Sequence, residues 1–141
     1  KGEEEISFQI PPGIENGEIV RLPGRGEAIE HGEAGDLFVR VHVIPDPHYK
    51  KEGVNLLKDL EIKLTDAILG ATYSVDTFDG RLSVTIPEGV SFNELLRIKG
   101  KGVVISPGKR GDLLLRVKIA IPKNLSKKAR EYLEEIRKEG V

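Results

Sequence analysis

Three histidines, 23 carboxylates and no cysteine set the chemical repertoire of this 141-residue chain. Without cysteine there is no thiolate metal site, no cysteine nucleophile and no disulfide framework. His31, His42 and His48 have no neighbours at metal-ligand spacing and read as solvated imidazoles. Glu27, Glu30, Glu33 and Asp36 make up a carboxylate cluster of the kind used in glycoside hydrolysis or cation binding. Gly102 to Gly108-Lys109-Arg110 faintly resembles a phosphate loop. Five residues separate its glycines instead of four, and Arg110 stands where a magnesium-binding Ser or Thr belongs, so it reads as a Pro-Gly surface turn. Gly24-Arg25-Gly26 lacks the third glycine of a dinucleotide loop, and no serine sits in a Gly-x-Ser-x-Gly context. A different chemistry is suggested by Ile6, Phe8 and Ile10, which alternate along one strand-like run, together with Tyr49. Apolar residues beside a strand edge suit capture of an extended peptide by strand addition.

An internal repeat positions these residues. Ser7-Phe8-Gln9-Ile10-Pro11-Pro12-Gly13 aligns with Ser83-Val84-Thr85-Ile86-Pro87-Glu88-Gly89 at an offset of about 76 residues, and the alignment continues without a gap. Arg21, Gly24, Gly26, Gly35, Asp36, Leu37, Arg40 and Val41 meet Arg97, Gly100, Gly102, Gly111, Asp112, Leu113, Arg116 and Val117. From Ser7 to Val43, 15 of 37 aligned positions are identical, where chance gives about one in seventeen. The second copy replaces Glu27, Glu30 and Glu33 by Val103, Ser106 and Lys109, so the carboxylate cluster reads as a solvated loop. Asp36 and Asp112 recur after a glycine at a strand start, where a short side chain can bond the local backbone. The repeated Gly-x-Gly points to a bulge or tight bend.

The copies are unequal. Two strand-like runs within Val54 to Gly80 precede the second, and subtracting the offset carries them to before residue 5. The first copy's opening strands are therefore expected upstream, leaving an exposed, unpartnered first half. Lys1 in place of Met and the lack of a signal-peptide pattern agree with a piece of a longer protein.

Composition is that of a globular chain, with 32% charged and 38% hydrophobic residues. No apolar run approaches the length of about 20 residues that spans a bilayer. A net charge of -1 argues against global attraction to nucleic acid or anionic membrane. Strands are expected at Glu5–Ile10, Glu18–Leu22, Asp36–Ile44, Asn55–Leu64, Ala71–Thr77, Leu82–Ile86, Leu95–Ile98 and Asp112–Ile121. Asp79-Gly80 signals a hairpin that needs φ > 0, and Thr65–Leu69 reads as one helical turn closed by Gly70. Ser126 caps a helix to Lys138, with Ala129, Tyr132, Leu133 and Ile136 forming one apolar stripe and Glu134 placed four residues before Lys138. So short a helix is marginal in water and must dock on this chain or on another copy. The fold class is mainly β: two tandem β-sandwich or barrel-like units, the first lacking its N-terminal strands, plus a C-terminal amphipathic helix. The expected divisions are 1–47, 48–124 and 125–141.

Gly24-Arg25-Gly26-Glu27-Ala28, Gly35-Asp36-Leu37 and Asp46-Pro47-His48-Tyr49-Lys50-Lys51-Glu52-Gly53-Val54-Asn55-Leu56 resemble the C-terminal substrate-binding region of DnaJ-type co-chaperones. So do Ala67-Ile68-Leu69-Gly70, Asp79-Gly80-Arg81 and Arg97-Ile98-Lys99-Gly100-Lys101-Gly102-Val103. The resemblance covers nearly the whole chain, in order. It implies a non-enzymatic, cytoplasmic chaperone module that binds unfolded client polypeptide and dimerises. It also implies delivery to a DnaK-type ATPase through a J domain absent from this sequence. Ile6 and Tyr49 would line the client groove, with Phe8 added from strand alternation. Ala129, Tyr132, Leu133 and Ile136 would form the dimer interface. No cofactor is expected in this chain, although many family members carry a Cys-rich zinc module just before the position of Lys1. A carbohydrate-binding or architectural β-sandwich is the alternative, weakened by the absence of Trp and only 3 Tyr and 4 Phe. A carboxylate hydrolase ranks below both.

Overall fold

A computed structural model describes residues 5–26, 32 and 34–141. The carboxylates Glu27, Glu30 and Glu33 and the imidazole of His31 lie outside the described residues. Ten strands and two helices are present among the described residues, and the architecture is mainly β. The residues form two compact units: 1–58 with 97–114, and 59–96 with 115–141.

In the first unit, β1 (Ile19–Leu22) pairs antiparallel with β2 (Leu37–Arg40), Ile19 opposite Arg40 and Leu22 opposite Leu37. β3 (Lys50–Glu52) turns back through Gly53, at φ +61°, onto the start of β4 (Asn55–Lys63). β8 (Val104–Ser106) and β9 (Lys109–Arg110) form a small bulged hairpin closed by Pro107-Gly108. The loop that faintly resembled a phosphate cradle is thus a Pro-Gly turn, and the Arg110 guanidinium donates to the Gly102 carbonyl at 2.9 and 3.2 Å. Among the described residues of this unit, Leu57 and Leu113 are the buried large apolar side chains.

In the second unit, α1 (Leu64–Leu69) is stopped by Gly70, whose φ of +83° lets its N–H reach the Asp66 carbonyl. β5 (Ala71–Thr77) and β6 (Gly80–Ile86) form the expected hairpin. The two-residue loop is Phe78-Asp79, one residue earlier than the Asp-Gly pair suggests, and Gly80 alone carries the positive φ, +112°, while already pairing with Thr77. Ile62, Ala67, Val75, Val84, Ile86, Val90, Leu115 and Val117 form the core. Burial of Val84 and Ile86 in β6 and of Leu115 and Val117 on alternate strand positions accounts for the period-two pattern in the sequence. β4, β7 (Leu95–Ile98) and β10 (Leu113–Ala120) each contribute residues to both units, and the four-stranded sheet runs β3-β4-β10-β7. α2 (Lys127–Lys138) closes the chain.

Two expected strands are reduced. Glu5–Ile10 carries the right alternation but has no regular structure, and β2 stops at Arg40 rather than Ile44. A strand is held by ladder bonds to its neighbours, and among the described residues no strand pairs with Glu5–Ile10, while β2 pairs with β1 alone. Their aligned counterparts in the second copy, within β6 and β10, are long strands.

Candidate functional site

The repeated residues converge on one motif, built twice. The Asp112 carboxylate accepts the Gly100 N–H at 3.0 Å and pairs with the Arg97 guanidinium. The Asp36 carboxylate accepts the Gly24 N–H at 3.1 Å and the Arg21 Nε at 2.7 Å. Gly24 and Gly100 share a φ of +73°, which an L side chain rarely adopts. Gly26 and Gly102 then donate to the carbonyls of Gly35 and Gly111, at 2.7 and 2.9 Å. A β-carbon at Gly26 would lie 2.6 Å from the Asp36 carbonyl oxygen, and one at Gly102 would lie 2.5 Å from the Asp112 backbone. Both glycines are therefore required by close backbone approach. The carboxylates reach across to the glycine loop instead of bonding their own neighbourhood. The backbone N–H groups first, and the arginines second, hold both carboxyls below the ordinary aspartate range. Charges satisfied in this way are structural. The arginine partners were visible in the repeat alignment, but the chain folding that pairs them with the aspartates was not.

The residues expected to touch polypeptide lie in the first unit. Ile6 is half-buried, while Phe8 and Ile10 are 38% and 54% exposed. The turn that follows them is anchored by Lys51, whose ammonium donates to the Gly13 carbonyl at 2.9 Å and pairs with Glu15 at 2.8 Å. Lys51 lies in β3, which begins immediately after Tyr49. Tyr49 is half-buried. The Lys58 ammonium sits 4.9 Å from its ring centroid and 3.5 Å from its hydroxyl, a cation–π arrangement. The roles of Lys51 and Lys58 were not foreseen, because lysines on a charged surface carry no distinguishing pattern.

The second unit brings the four helix residues together. The Ser126 Oγ accepts the Ala129 N–H at 3.0 Å, so the cap forms as its residue type predicts. Lys138 pairs with Glu135 at 3.0 Å rather than with Glu134, so the ion pair spans three residues and not four. Ala129, Tyr132, Leu133 and Ile136 line an apolar groove of about 450 Å³ whose other wall includes Leu64, Ala120, Pro122 and Leu125. The groove does not cover the stripe: Tyr132 is 59% and Ile136 45% exposed. Nearby, the Tyr73 hydroxyl donates to Asp66 and accepts the Lys63 N–H at 3.0 Å, fixing the entry to α1. Burial and the Asp66 carboxylate push the Tyr73 phenol upward.

Together these features define a β-rich repeat module with apolar surface rows and a capped, incompletely covered helix. Residues 1–122 match the family model of the DnaJ C terminal domain. The chain is 43% identical over 130 residues to "Chaperone protein DnaJ 2" of Mycolicibacterium paratuberculosis and to "Chaperone protein DnaJ 1" of Mycobacterium tuberculosis, covering 92% of this chain and 33% of each relative. It is 42% identical to "Chaperone protein DnaJ 1" of Mycobacterium leprae. The chain belongs to the DnaJ C-terminal domain family, and the relatives it matches are named as chaperones. It spans about a third of the length of the curated relatives it matches.

Proposed function

We propose that this chain binds unfolded or extended polypeptide through an apolar groove and strand addition at Ile6, Phe8 and Tyr49, and pairs with a second copy through α2. The two repeat copies, 1–47 and 48–124, are the polypeptide-handling β-domains in this reading, and 125–141 is the pairing helix. Clients pass in the cytoplasm to a DnaK-type ATPase, recruited by a J domain of the longer protein. Zinc, where such a protein binds it, belongs to a separate Cys-rich module, since this chain has no cysteine. The observation that carries the reading is the partly exposed row Ile6, Phe8 and Ile10 beside the Lys51-anchored turn in a DnaJ C-terminal domain.

The energetics suit holding and release. Each buried aliphatic or aromatic anchor contributes about 1.5–3 kcal/mol, and ordering a peptide costs about 2–5 kcal/mol. A few anchors therefore give binding in the roughly micromolar range, and two sites in a dimer add avidity for a client that reaches both. Titration of a labelled apolar peptide against Tyr49→Ala and Ile6→Ser tests the site. Both variants are expected to bind more weakly with circular dichroism unchanged, and unaltered affinity in both rejects the assignment.

A further inference from the structure

The pairing of β3 with β4 runs Lys50 opposite Leu57, Lys51 opposite Leu56 and Glu52 opposite Asn55. Continued by one residue, that register sets Tyr49 opposite Lys58, and directly opposed side chains of an antiparallel pair interact. The contact is made: the Lys58 ammonium lies 4.9 Å from the Tyr49 ring centroid and 3.5 Å from its hydroxyl. Both residues are half-buried. A lysine stem covers apolar surface in this way while its charged head keeps contact with water.

Two neighbouring charges are already paired. The Lys51 ammonium meets Glu15 at 2.8 Å and the Gly13 carbonyl at 2.9 Å. Asp59, adjacent to Lys58 in β4, faces Arg116 at 3.6 Å, and successive strand side chains point to opposite faces. A second lysine–ring contact shows what such a cation can take up. Lys118 lies 5.0 Å from the Phe92 ring centroid and at the same time donates to the Asn93 side-chain oxygen at 2.6 Å. An ammonium against an aromatic ring thus keeps a donor for an oxygen acceptor, since it carries three N–H bonds. Its flexible four-carbon stem lets it exchange one acceptor for another.

We propose that Lys58 is a specificity-determining residue of the Tyr49 site: it selects extended polypeptides that carry a carboxylate beside their apolar anchor and disfavours those that carry Lys or Arg there. This selectivity rests on the reading that Tyr49 lines the client groove. An anchor that packs on the half-buried ring brings its flanking side chains to the ammonium. A Glu or Asp there forms a charge-assisted hydrogen bond. A cation there meets like charge, so Lys58 discriminates by repulsion as well as by attraction. Apolar anchors alone are non-directional and make no such distinction. The chain's net charge of -1 gives no general attraction to acidic peptides, so the preference is local.

The probes are two fluorescein-labelled peptides with one anchor and opposite flanks, Gly-Glu-Leu-Phe-Leu-Glu-Gly and Gly-Lys-Leu-Phe-Leu-Lys-Gly, titrated against the full chain by anisotropy. The unaltered protein is expected to bind the acidic peptide about fivefold more tightly at low salt. The ratio should shrink toward unity in about 1 M salt, where the screening length is about 3 Å. Lys58→Glu should reverse the ratio, Lys58→Gln should level it and Lys58→Arg should preserve it, with circular dichroism unchanged in all three. A lysine that merely braced Tyr49 would, when replaced, weaken both peptides together and leave their ratio alone. Equal affinity for the two peptides in the unaltered protein, or a ratio that Lys58→Glu does not move, overturns the selectivity. If Tyr49→Ala weakens both peptides while the ratio stays flat, the groove stands and the selectivity falls. If Tyr49→Ala weakens neither, both fall.

Discussion

The Asp112 carboxylate reaches back twelve residues to accept the N–H of Gly100 at 3.0 Å, and Asp36 does the same to Gly24 at 3.1 Å. A loop glycine with positive φ is thereby locked to a strand start, twice, by one carboxylate and one arginine. The motif ties a glycine loop to the start of β2 in one copy and to the start of β10 in the other.

Gly102→Ala is expected to destabilise the first unit strongly. The new methyl would sit 2.5 Å from the Asp112 backbone, which cannot yield as a flexible side chain can. A loss of about 1–3 kcal/mol is expected for overpacking, read as a lowered urea midpoint. Gly35→Ala, with open space around it, serves as the matched control and should leave the midpoint unchanged.

Acid should loosen the same motif. Both carboxyls titrate below their ordinary value of 3.8 when folded. The unfolded chain therefore binds protons first as pH falls, and the stabilisation is fully present above the ordinary value. It is lost progressively as pH drops through that value and then through the lowered ones. Urea midpoints measured between neutral pH and about pH 3 should fall on the acid side. A double Asp36→Asn, Asp112→Asn variant should be less stable at neutral pH and show a flatter acid limb.

Ser126→Ala removes the acceptor for the Ala129 N–H. Loss of an N-cap costs about 1 kcal/mol. Helical circular dichroism should fall and amide exchange at Lys128 to Arg130 should quicken, with the β5–β6 hairpin unaffected.

Leu133→Glu places a charge in the apolar groove shared by Ala129, Tyr132 and Ile136. If α2 pairs two copies, light scattering should report monomers while the β-signal in circular dichroism persists. A dimer that survives the substitution assigns pairing to another surface.

Much of this molecule was legible in the order of its residues. Gly70 ends α1 and Ser126 begins α2 because each acts through atoms within a few residues of itself. Burial along β10 alternates because side chains of a strand must. The β5–β6 hairpin was legible for the same reason, although its loop lies one residue earlier because Gly80 supplies positive φ from within the first pair of the ladder. The Glu5–Ile10 run shows the limit of such reading. Its alternation is as regular as that of the aligned residues in β6, yet only the latter pair with a neighbour. Of the candidate binding residues, the helical four were recognisable by spacing, whereas the opposite wall at Leu64, Pro122 and Leu125 was not.

The sequence alone determined the repeat, the strand and helix types, the glycine stops, the helix cap and the absence of thiol chemistry, since each depends on residue identity and on neighbours a few bonds away. Tertiary structure decided that Asp36 and Asp112 clasp loops twelve residues back and that Lys51 ties down the turn after Ile6 and Phe8. Those outcomes rest on hydrogen bonds and close approaches between distant parts of the chain, which exist only once the backbone has folded to bring them within about 3 Å.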